Sequence, residues 1–190
     1  MKALQFYIEL EEVSPTVSRQ FAVPDNYTFY QLHKAIQGAF GWHNCHLFQF
    51  SPQDFMTDKT GYGIPDPHDE IKVKDARKAL ITSVFKKPGQ QFLYVYDFGD
   101  CWEHRITFEE IIDDEFSRPY CIAGTGACPP EDIGGPHGYR DMVVSLSTTG
   151  HPEKKSYENW LGLSKGEKWK PEFCSVREVN ARLGLLDSEM

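Results

Sequence analysis

The sequence predicts an α+β fold: a single domain with an antiparallel or mixed sheet packed by an N-terminal helix and several C-terminal helices. Three observations predict this class. The first ten residues alternate between apolar and polar side chains, residues 28–40 repeat apolar side chains at helical spacing, and the last third shows that spacing again. A chain of 190 residues with 40% hydrophobic and 25% charged residues is typical of one globular domain. We therefore expect one domain over residues 1–190.

The N-terminal residues have the pattern of a β-hairpin. Leu4, Phe6 and Ile8 share one parity of the alternating segment, which is typical of a strand with one buried face. Alternation resumes over residues 17–23, after the break at Ser14-Pro15, and predicts the second strand.

Residues 28–40 predict a helix that packs on the sheet. Thr28 and Gln31 fit a capping box, in which the hydroxyl and the amide satisfy backbone donors that the first helical turn leaves unpaired. Gly41 ends the helix. Four apolar residues repeat at helical spacing between these ends: Phe29, Leu32, Ile36 and Phe40.

Further strands are predicted at residues 46–50, 91–97 and 102–112, the last two forming a hairpin with its turn at 98–101. Residues 113–138 hold four prolines and five glycines, so we expect an ordered loop over this stretch. Three C-terminal helices are predicted from apolar residues at helical spacing: Tyr139, Met142, Val143 and Leu146; Tyr157, Trp160 and Leu161; Val176, Val179 and Leu183.

The charge balance opposes direct binding to nucleic acid. The chain has 20 basic and 28 acidic residues and a formal net charge of −8, which repels phosphate backbones unless a local basic patch is present. Residues 150–190 hold seven basic and seven acidic residues, so their lysines form a solvated face and no basic stripe.

No window approaches the ~18 consecutive apolar residues of a membrane-spanning helix. The first six residues alternate and lack the apolar block of a signal peptide, so we expect a cytoplasmic protein without a membrane partner. Five cysteines are an odd number, which argues against a full disulfide framework and for reduced thiols.

The densest polar and aromatic cluster surrounds the turn of the second hairpin and contains Asp97, Asp100, Trp102 and His104. A two- or four-residue turn places Asp97 on the same face as His104, where a carboxylate orients an imidazole as a general base. A three-residue turn instead groups Tyr94 and Tyr96 with Trp102 and His104. The alternative is architectural, with both aspartates bonded to the turn backbone and the histidine half buried.

Cysteine and histidine residues give a candidate zinc site. Cys121 and Cys128 are separated by six residues, whereas zinc cysteines usually lie two to four apart, so a site needs His104 or His137 to converge on them. Free, packed cysteines are the alternative.

Glu131 and Asp132 are a pair of carboxylates that suits a divalent cation or acid–base chemistry, or caps the helix near Tyr139. His43 and His46 flank Cys45 at a plausible ligand separation, but the neighbouring Trp42 and Leu47 indicate packing instead.

Two long motifs carry a family resemblance. Tyr94-x-Tyr96-Asp97-Phe98-Gly99-Asp100-x-Trp102-x-His104 and Cys128-Pro129-Pro130-Glu131-Asp132-x-Gly134-Gly135-x-x-Gly138-Tyr139 resemble the plasmid pRiA4b ORF-3-like family. The resemblance extends to Ala39–Trp42, His46-Leu47, Trp160-x-Gly162 and Asn180, nearly the whole chain. It implies an α+β fold and no established activity.

Some members of that family are labelled TnpR-like insertion-element passenger proteins. A serine recombinase needs a nucleophilic serine among arginines and a basic DNA-binding region, and the sequence shows neither. This chain also departs from the family at Phe48, where a second histidine is frequent, and at Thr148-Thr149, which commonly read Asn/Asp-Pro.

The leading functional hypothesis is a non-enzymatic interaction module with an unknown protein partner, associated with mobile elements through its family and needing no cofactor. Polar, glycine- and proline-rich motifs concentrate in two places without a complete catalytic set. The predicted functional surface is Asp97, Asp100, Trp102, His104, Glu131, Asp132 and Tyr139.

Three alternatives stand beside it. A metal-assisted hydrolase or nuclease, with zinc or another divalent cation, requires Asp97, Asp100, His104, Glu131 and Asp132 to converge in one cleft. A DNA-associated accessory protein of a transposable element is the second alternative, and purely structural motifs are the third.

Overall fold

The computed structural model describes residues 2–53, 60–68, 72–113 and 117–186. These residues form eight strands, four α-helices and a 3₁₀ turn at Ile81–Ser83, so the predicted α+β class is confirmed. The strands are β1 (Ala3–Leu10), β2 (Val17–Pro24), β3 (Phe48–Ser51), β4 (Tyr62–Gly63), β5 (Lys74–Asp75), β6 (Gln91–Tyr96), β7 (Trp102–Ile112) and β8 (Tyr120–Thr125). The helices are α1 (Phe29–Phe40), α2 (Gly135–Ser147), α3 (Lys154–Trp160) and α4 (Val176–Leu183).

All eight strands belong to one sheet, in the order β5-β4-β3-β6-β7-β1-β2-β8. Only the short β4–β5 pair is parallel, and every other pair is antiparallel, which makes the sheet mixed. None of the helices in the described ranges combines the length and apolar character that a bilayer crossing needs.

The N-terminal hairpin is confirmed. β1 and β2 pair antiparallel with Phe6 opposite Phe21, and both rings are fully buried. Because β1 also pairs with β7, this hairpin lies inside the sheet, and its apolar side chains anchor the core.

Helix α1 begins and ends where the sequence predicts. Thr28 and Gln31 form the capping box, and Gly41 ends the helix in a left-handed conformation with φ of 90°. The helix packs its apolar stripe on aromatic side chains of the sheet: the Phe29 ring lies 4.0 Å from that of Tyr62 and 5.2 Å from that of Phe50, between centroids. This packing holds the first turn of α1 against the sheet.

The prediction of a continuous loop over residues 113–138 is wrong in its middle and at its end, where α2 begins at Gly135. Residues 120–125 form β8, which pairs with β2 and places Cys121 opposite Phe21. Gly124 lets the strands approach, since a Cβ there would lie 3.2 Å from the Ser18 carbonyl oxygen and 2.8 Å from the Cys174 sulfur. The partner strand lies about a hundred residues away in sequence, so local composition carried no sign of it.

Strand β8 is an edge strand whose free side is occupied by a side chain of α4. The Asn180 amide accepts a hydrogen bond from the Cys121 backbone N–H at 2.8 Å and donates one to the Cys121 carbonyl at 2.9 Å. Asn180 therefore bonds both backbone groups of one edge residue.

The turn of the second hairpin has five residues, Asp97–Cys101, one more than expected. Tyr94 therefore lies opposite His104, and Tyr96 opposite Trp102, which is the grouping expected of an odd-numbered turn. The Nδ1–H of His104 donates to the carbonyls of Tyr94 and Trp102 at 3.2 and 3.0 Å. The Asp97–His104 pair that a two- or four-residue turn would give is thus not formed, and His104 is a core residue.

Two buried histidines are held neutral by desolvation. Burial lowers the pKa of His104 from 6.5 to about 3 and that of His33 from 6.5 to about 4. His33 bonds the Tyr94 hydroxyl through Nδ1 at 2.8 Å and Asn44 through Nε2, and His104 meets the rings of Phe40 and Trp42 edge-on. Protonation of either ring places a charge inside the core.

We predict an acid-sensitive fold. The unfolded chain binds these protons near pH 6.5, whereas the folded chain binds them only near pH 3 to 4, so stability is greatest above about pH 6.5 and falls as the pH drops. Each histidine contributes up to about 1.4 kcal/mol per pH unit to this loss. The measurement is the free energy of unfolding in urea at several pH values between about 4 and 7.

His104→Asn isolates one of the two groups, because the asparagine amide donates as Nδ1–H does but takes up no proton. We expect a smaller loss of unfolding free energy per pH unit in this variant. His43→Asn, at an exposed position, should leave the pH dependence unchanged. An unchanged pH dependence in His104→Asn would contradict the assignment.

Candidate metal centre

Three loops meet at one end of the sheet: residues 41–47 after α1, residues 97–101 between β6 and β7, and residues 126–134 before α2. We call this region the three-loop junction. The Trp42 indole N–H donates to the Pro129 carbonyl at 3.0 Å, and the Asp97 N–H donates to the Leu47 carbonyl at 2.9 Å. These bonds fix the first loop to each of the other two.

Asp100 connects the two sequence motifs. Its Oδ2 accepts from the Gly134 backbone N–H at 3.1 Å, and Gly135, with φ of +68°, lies so close that a Cβ there would be 2.6 Å from the Asp100 carbonyl oxygen. The turn after β6 and the start of α2 are therefore in backbone contact. Asp100 has an architectural role at this contact.

Asp97 divides its two oxygens between the turn and the junction. It adopts a left-handed conformation with φ of 55°, and its Oδ1 accepts from the Gly99 N–H at 2.9 Å. Its Oδ2 faces the other way and lies 3.6 Å from Nε2 of His46. The turn therefore holds one oxygen and leaves the other at the junction.

Glu131 is held through both of its oxygens. Its Oε1 accepts from the His43 backbone N–H at 2.7 Å and from the Tyr96 hydroxyl at 3.0 Å. Its Oε2 accepts a longer bond from the same hydroxyl at 3.3 Å and lies 3.9 Å from Nε2 of His46. Burial raises the pKa of Tyr96, and a hydrogen bond with the Cys45 side chain raises it further. The hydroxyl therefore stays protonated and remains a donor to Glu131.

His46 lies at the centre of the junction. Its Nε2 is 3.2 Å from Asp132 Oδ1, in addition to its contacts with Asp97 and Glu131. This nitrogen is screened from solvent, yet no polar atom of the described residues forms a hydrogen bond with it. The 3.2 Å approach is thus a close contact without hydrogen-bond geometry, and the nitrogen lies within 4 Å of an oxygen of each of three carboxylates.

No lysine or arginine in the described part of the chain ion-pairs with these three carboxylates. Three acidic groups around one imidazole repel one another unless a positive charge lies between them. His46, Asp97 and Asp132 bring their ligand atoms within 4.8 Å of one another, as do Cys45, His46 and Glu131. The two sets share His46 and are suited to one divalent cation.

The predicted zinc site at Cys121, Cys128, His104 and His137 is not assembled. None of the four belongs to either potential ligand group that the described residues form. Cys121 is buried in β8, its thiol donates to the Ala123 carbonyl at 3.3 Å, and burial raises its pKa to about 11. Burial also raises the pKa of Cys128, and His137 is exposed on α2. Thiols with raised pKa values are poor metal ligands.

Three residues of the predicted functional surface are core residues instead. Trp102, His104 and Tyr139 have no exposed surface, and the Tyr139 hydroxyl donates to the Ala127 carbonyl at 2.9 Å. Asp97, Glu131 and Asp132 do meet at the junction, and Asp100 supports it from the backbone.

Sequence reasoning missed the central residue, His46. Its spacing from Cys45 and His43 was recognisable, but Trp42 and Leu47 on either side indicated packing. Trp42 is packed, at 6% exposed, whereas Leu47 is 62% exposed. An apolar neighbour was therefore a false sign of a buried position.

Comparisons with known proteins agree with this fold. The family model described as plasmid pRiA4b ORF-3-like protein matches residues 2–178. The uncharacterized protein y4hQ of Sinorhizobium fredii (strain NBRC 101917 / NGR234) is 36% identical over 174 residues, covering 90% of this chain and 87% of the relative. The crystal structure of MM3350, a protein of unknown function from Methanosarcina mazei Go1, has 31% identity and a TM-score of 0.79, covering 93% of this chain and 96% of that one. Neither name states an activity.

The contact between Asp100 and Gly135 yields a stability prediction with a matched control. Gly135 and Gly150 have similar positive φ values, 68° and 76°, but nothing lies within 4 Å of a Cβ built on Gly150. Gly150→Ala should cost about 1–2 kcal/mol, the penalty for a left-handed alanine. Gly135→Ala should cost about 3 kcal/mol or more, because the methyl group also displaces the Asp100 backbone.

The measurement is the unfolding free energy of both variants in chemical denaturant. Equal losses would show that the close approach of the two motifs adds no constraint beyond local backbone conformation.

Proposed function

The chain belongs to the plasmid pRiA4b ORF-3-like family, and we propose that it binds one divalent metal cation at the three-loop junction and uses it for hydrolysis. One observation carries the proposal: Nε2 of His46 points between Asp97, Glu131 and Asp132, with no basic side chain of the described residues paired to them. A bound cation relieves that repulsion. The function of its relatives is not established.

His46, Asp97 and Asp132 are the proposed ligands. Three protein ligands leave coordination positions for water and substrate, as in catalytic zinc sites. The Asp97 oxygen near His46 is the one that the turn does not use. Asp132 is 73% exposed at its side chain, so the site is open to solvent on that side. An imidazole with carboxylates suits zinc, manganese or iron better than calcium.

Glu131 is the proposed general base. Two hydrogen bonds hold its Oε1, from His43 N–H and Tyr96 O–H, while Oε2 accepts only a longer bond of 3.3 Å from Tyr96 O–H and lies towards His46. A carboxylate fixed next to a cation is placed to accept a proton from the water that the cation polarises. The formal net charge of −8 disfavours a long nucleic acid as the substrate.

A second candidate is the interaction module. Leu47 and Phe98, immediately beside His46 and Asp97 in sequence, expose 62% and 43% of their surface. Apolar side chains beside a polar site are typical of contact surfaces. This hypothesis requires no metal, so a measurement of bound metal separates the two candidates. The association with mobile elements rests on the family name alone, and a cytoplasmic location remains part of the proposal.

We predict that the protein binds about one equivalent of zinc or manganese. Elemental mass spectrometry on untagged protein prepared without chelator, followed by calorimetric titration of both metals, gives stoichiometry and affinity. His46→Ala and Asp97→Asn should each lower the affinity by at least about tenfold. Asparagine tolerates the left-handed conformation of residue 97, so Asp97→Asn should keep the turn.

His43→Ala is the matched control, a histidine in the same loop that contributes only its backbone N–H to Glu131. It should bind metal as the wild type does. Wild-type stoichiometry and affinity in His46→Ala would contradict the site. Absence of binding in every protein, wild type included, would leave the interaction module as the better hypothesis.

Glu131→Gln tests the catalytic part of the proposal separately. The glutamine carbonyl keeps an acceptor for His43 and Tyr96 but cannot take up a proton. With metal bound, we expect kcat for hydrolysis of activated phosphate and carboxylate esters to fall by about 100-fold or more. Metal stoichiometry should stay unchanged. A kcat equal to that of the wild type would remove Glu131 as the base.

A further inference from the structure

An open cavity of about 810 Å³ lies between α4, the end of α1 and residues 163–175. Its volume is in the range of sites that bind metabolite-sized molecules. The cavity lining includes none of the four residues whose side chains meet at the three-loop junction. Gly41, Ala127 and Cys128, from two loops of the junction, do line it, so a ligand of this cavity would contact side chains other than the proposed metal ligands.

Arg19 lies on the wall of this cavity and is only 2% exposed. Its Nε donates to the Ala39 carbonyl at 2.9 Å, and its Nη1 donates to the carbonyls of Ser18 and Thr125, each at 2.7 Å. Its Nη2 has no hydrogen-bond partner among the described residues, and no carboxylate of the described chain lies within ion-pair distance.

A buried guanidinium is normally paired with a carboxylate, because an uncompensated buried charge is costly. Carbonyl dipoles and the ring of Phe40, 5.2 Å from the guanidinium carbon, offset part of that cost. Arg19 thus keeps a full positive charge and a donor nitrogen to spare beside a cavity.

A second arginine lines the same cavity. Arg182 donates from Nε to the Gly38 carbonyl at 2.9 Å, and within the described ranges it too has no carboxylate in ion-pair distance. The other charged residues of the lining are Lys168, Lys170, Glu167 and Glu178. Glu167 is bound to its own turn, since its Oε2 accepts from the Ser164 N–H at 2.9 Å. Basic groups therefore outnumber acidic ones in the lining, although the chain as a whole is acidic.

The N-terminus of α4 also lies at the cavity. Ser175 caps this helix, accepting from the Glu178 N–H at 3.3 Å, and both residues line the cavity. The first turn of a helix carries partial positive charge, but the Glu178 carboxylate in that turn opposes it. The features that suit an anion are therefore the spare donor of Arg19 and the guanidinium of Arg182.

The remaining walls are apolar or aromatic. Trp169 packs edge-on against Tyr139, with ring centroids 6.0 Å apart, and Phe173 is 59% exposed at the cavity. Flat apolar walls in a cavity lined by two arginines suit a molecule that has both an oxyanion and a flat apolar part. We infer that this cavity binds a small organic oxyanion, a phosphate or carboxylate attached to a flat apolar group, with Arg19 and Arg182 as the charged contacts.

The test is calorimetric titration of the full-length protein with four probes: phenyl phosphate, benzoate, inorganic phosphate and phenol. Phenyl phosphate or benzoate should bind saturably, and phenol should bind at least about tenfold more weakly, since it lacks the charge that the arginines recognise. Preference for phenyl phosphate over benzoate assigns a phosphate ligand, and the reverse assigns a carboxylate. Prior removal of metal by chelator should not change the result, which separates this site from the metal centre.

Arg182→Gln should weaken the binding of the preferred probe by about tenfold or more, and Arg182→Lys should restore part of it. Arg105→Gln is the matched control, an arginine whose ion pair with Glu11 lies outside this cavity, and it should bind as the wild type does. Thermal melting of Arg182→Gln tests whether the variant is folded. Equal binding of phenol and phenyl phosphate, equal affinity in Arg182→Gln, or no saturable binding up to about 10 mM of any charged probe would overturn the inference.

Discussion

The contact between Asp100 and the start of α2 is the constraint on which the three-loop junction depends. The Asp100 carboxylate accepts from the Gly134 N–H, and only a glycine at position 135 lets the two backbones approach this closely. Residues 126–134 are therefore tied at both ends, by β8 before them and by the β6–β7 turn after them. Glu131 and Asp132 obtain their positions from this tether rather than from any helix or strand of their own.

Two of the three carboxylates at the junction contact both the surrounding backbone and His46. Asp97 and Glu131 each use one oxygen to accept from a backbone N–H group, and the other oxygen lies towards His46, with that of Glu131 also accepting from the Tyr96 hydroxyl. Such an arrangement fixes the side chains before any ligand arrives, which lowers the entropic cost of binding. It also explains why architectural and functional interpretations of the two motifs both have merit. Trp102, His104 and Tyr139 are buried in the core. The carboxylates of Asp97 and Glu131, by contrast, both bond the surrounding fold and approach His46.

The parts of the fold that local patterns determine were predictable. The capping box of Thr28 and Gln31, the alternation of β1 and the helical spacing after residue 135 are all readable within a few residues. Strand β8 was not, because its pairing with β2 depends on contacts about a hundred residues apart. The length of the five-residue turn was also not predicted. That length decides which face of the sheet His104 occupies.

The site was predictable only in its carboxylates. Asp97, Glu131 and Asp132 stood out as polar groups in turn-rich motifs, but nothing local indicated that residue 46 would meet them. His46 reaches them because α1 ends at Gly41 and Trp42 then bonds to Pro129, a tertiary contact. Burial likewise removed His104 and Cys121 from the set of candidate ligands, and burial is a property of the assembled fold.

The side-chain amide of Asn180 has a consequence for how copies of this chain meet one another. An open sheet ends in strands whose unpaired N–H and C=O groups invite a neighbouring molecule to extend the sheet. At Cys121 both groups are already bonded, because the asparagine presents a donor and an acceptor as a further peptide unit would. At this one residue, α4 therefore takes the position that the backbone of a further strand would occupy. A second copy of the chain could pair with the Cys121 backbone only by displacing the Asn180 side chain.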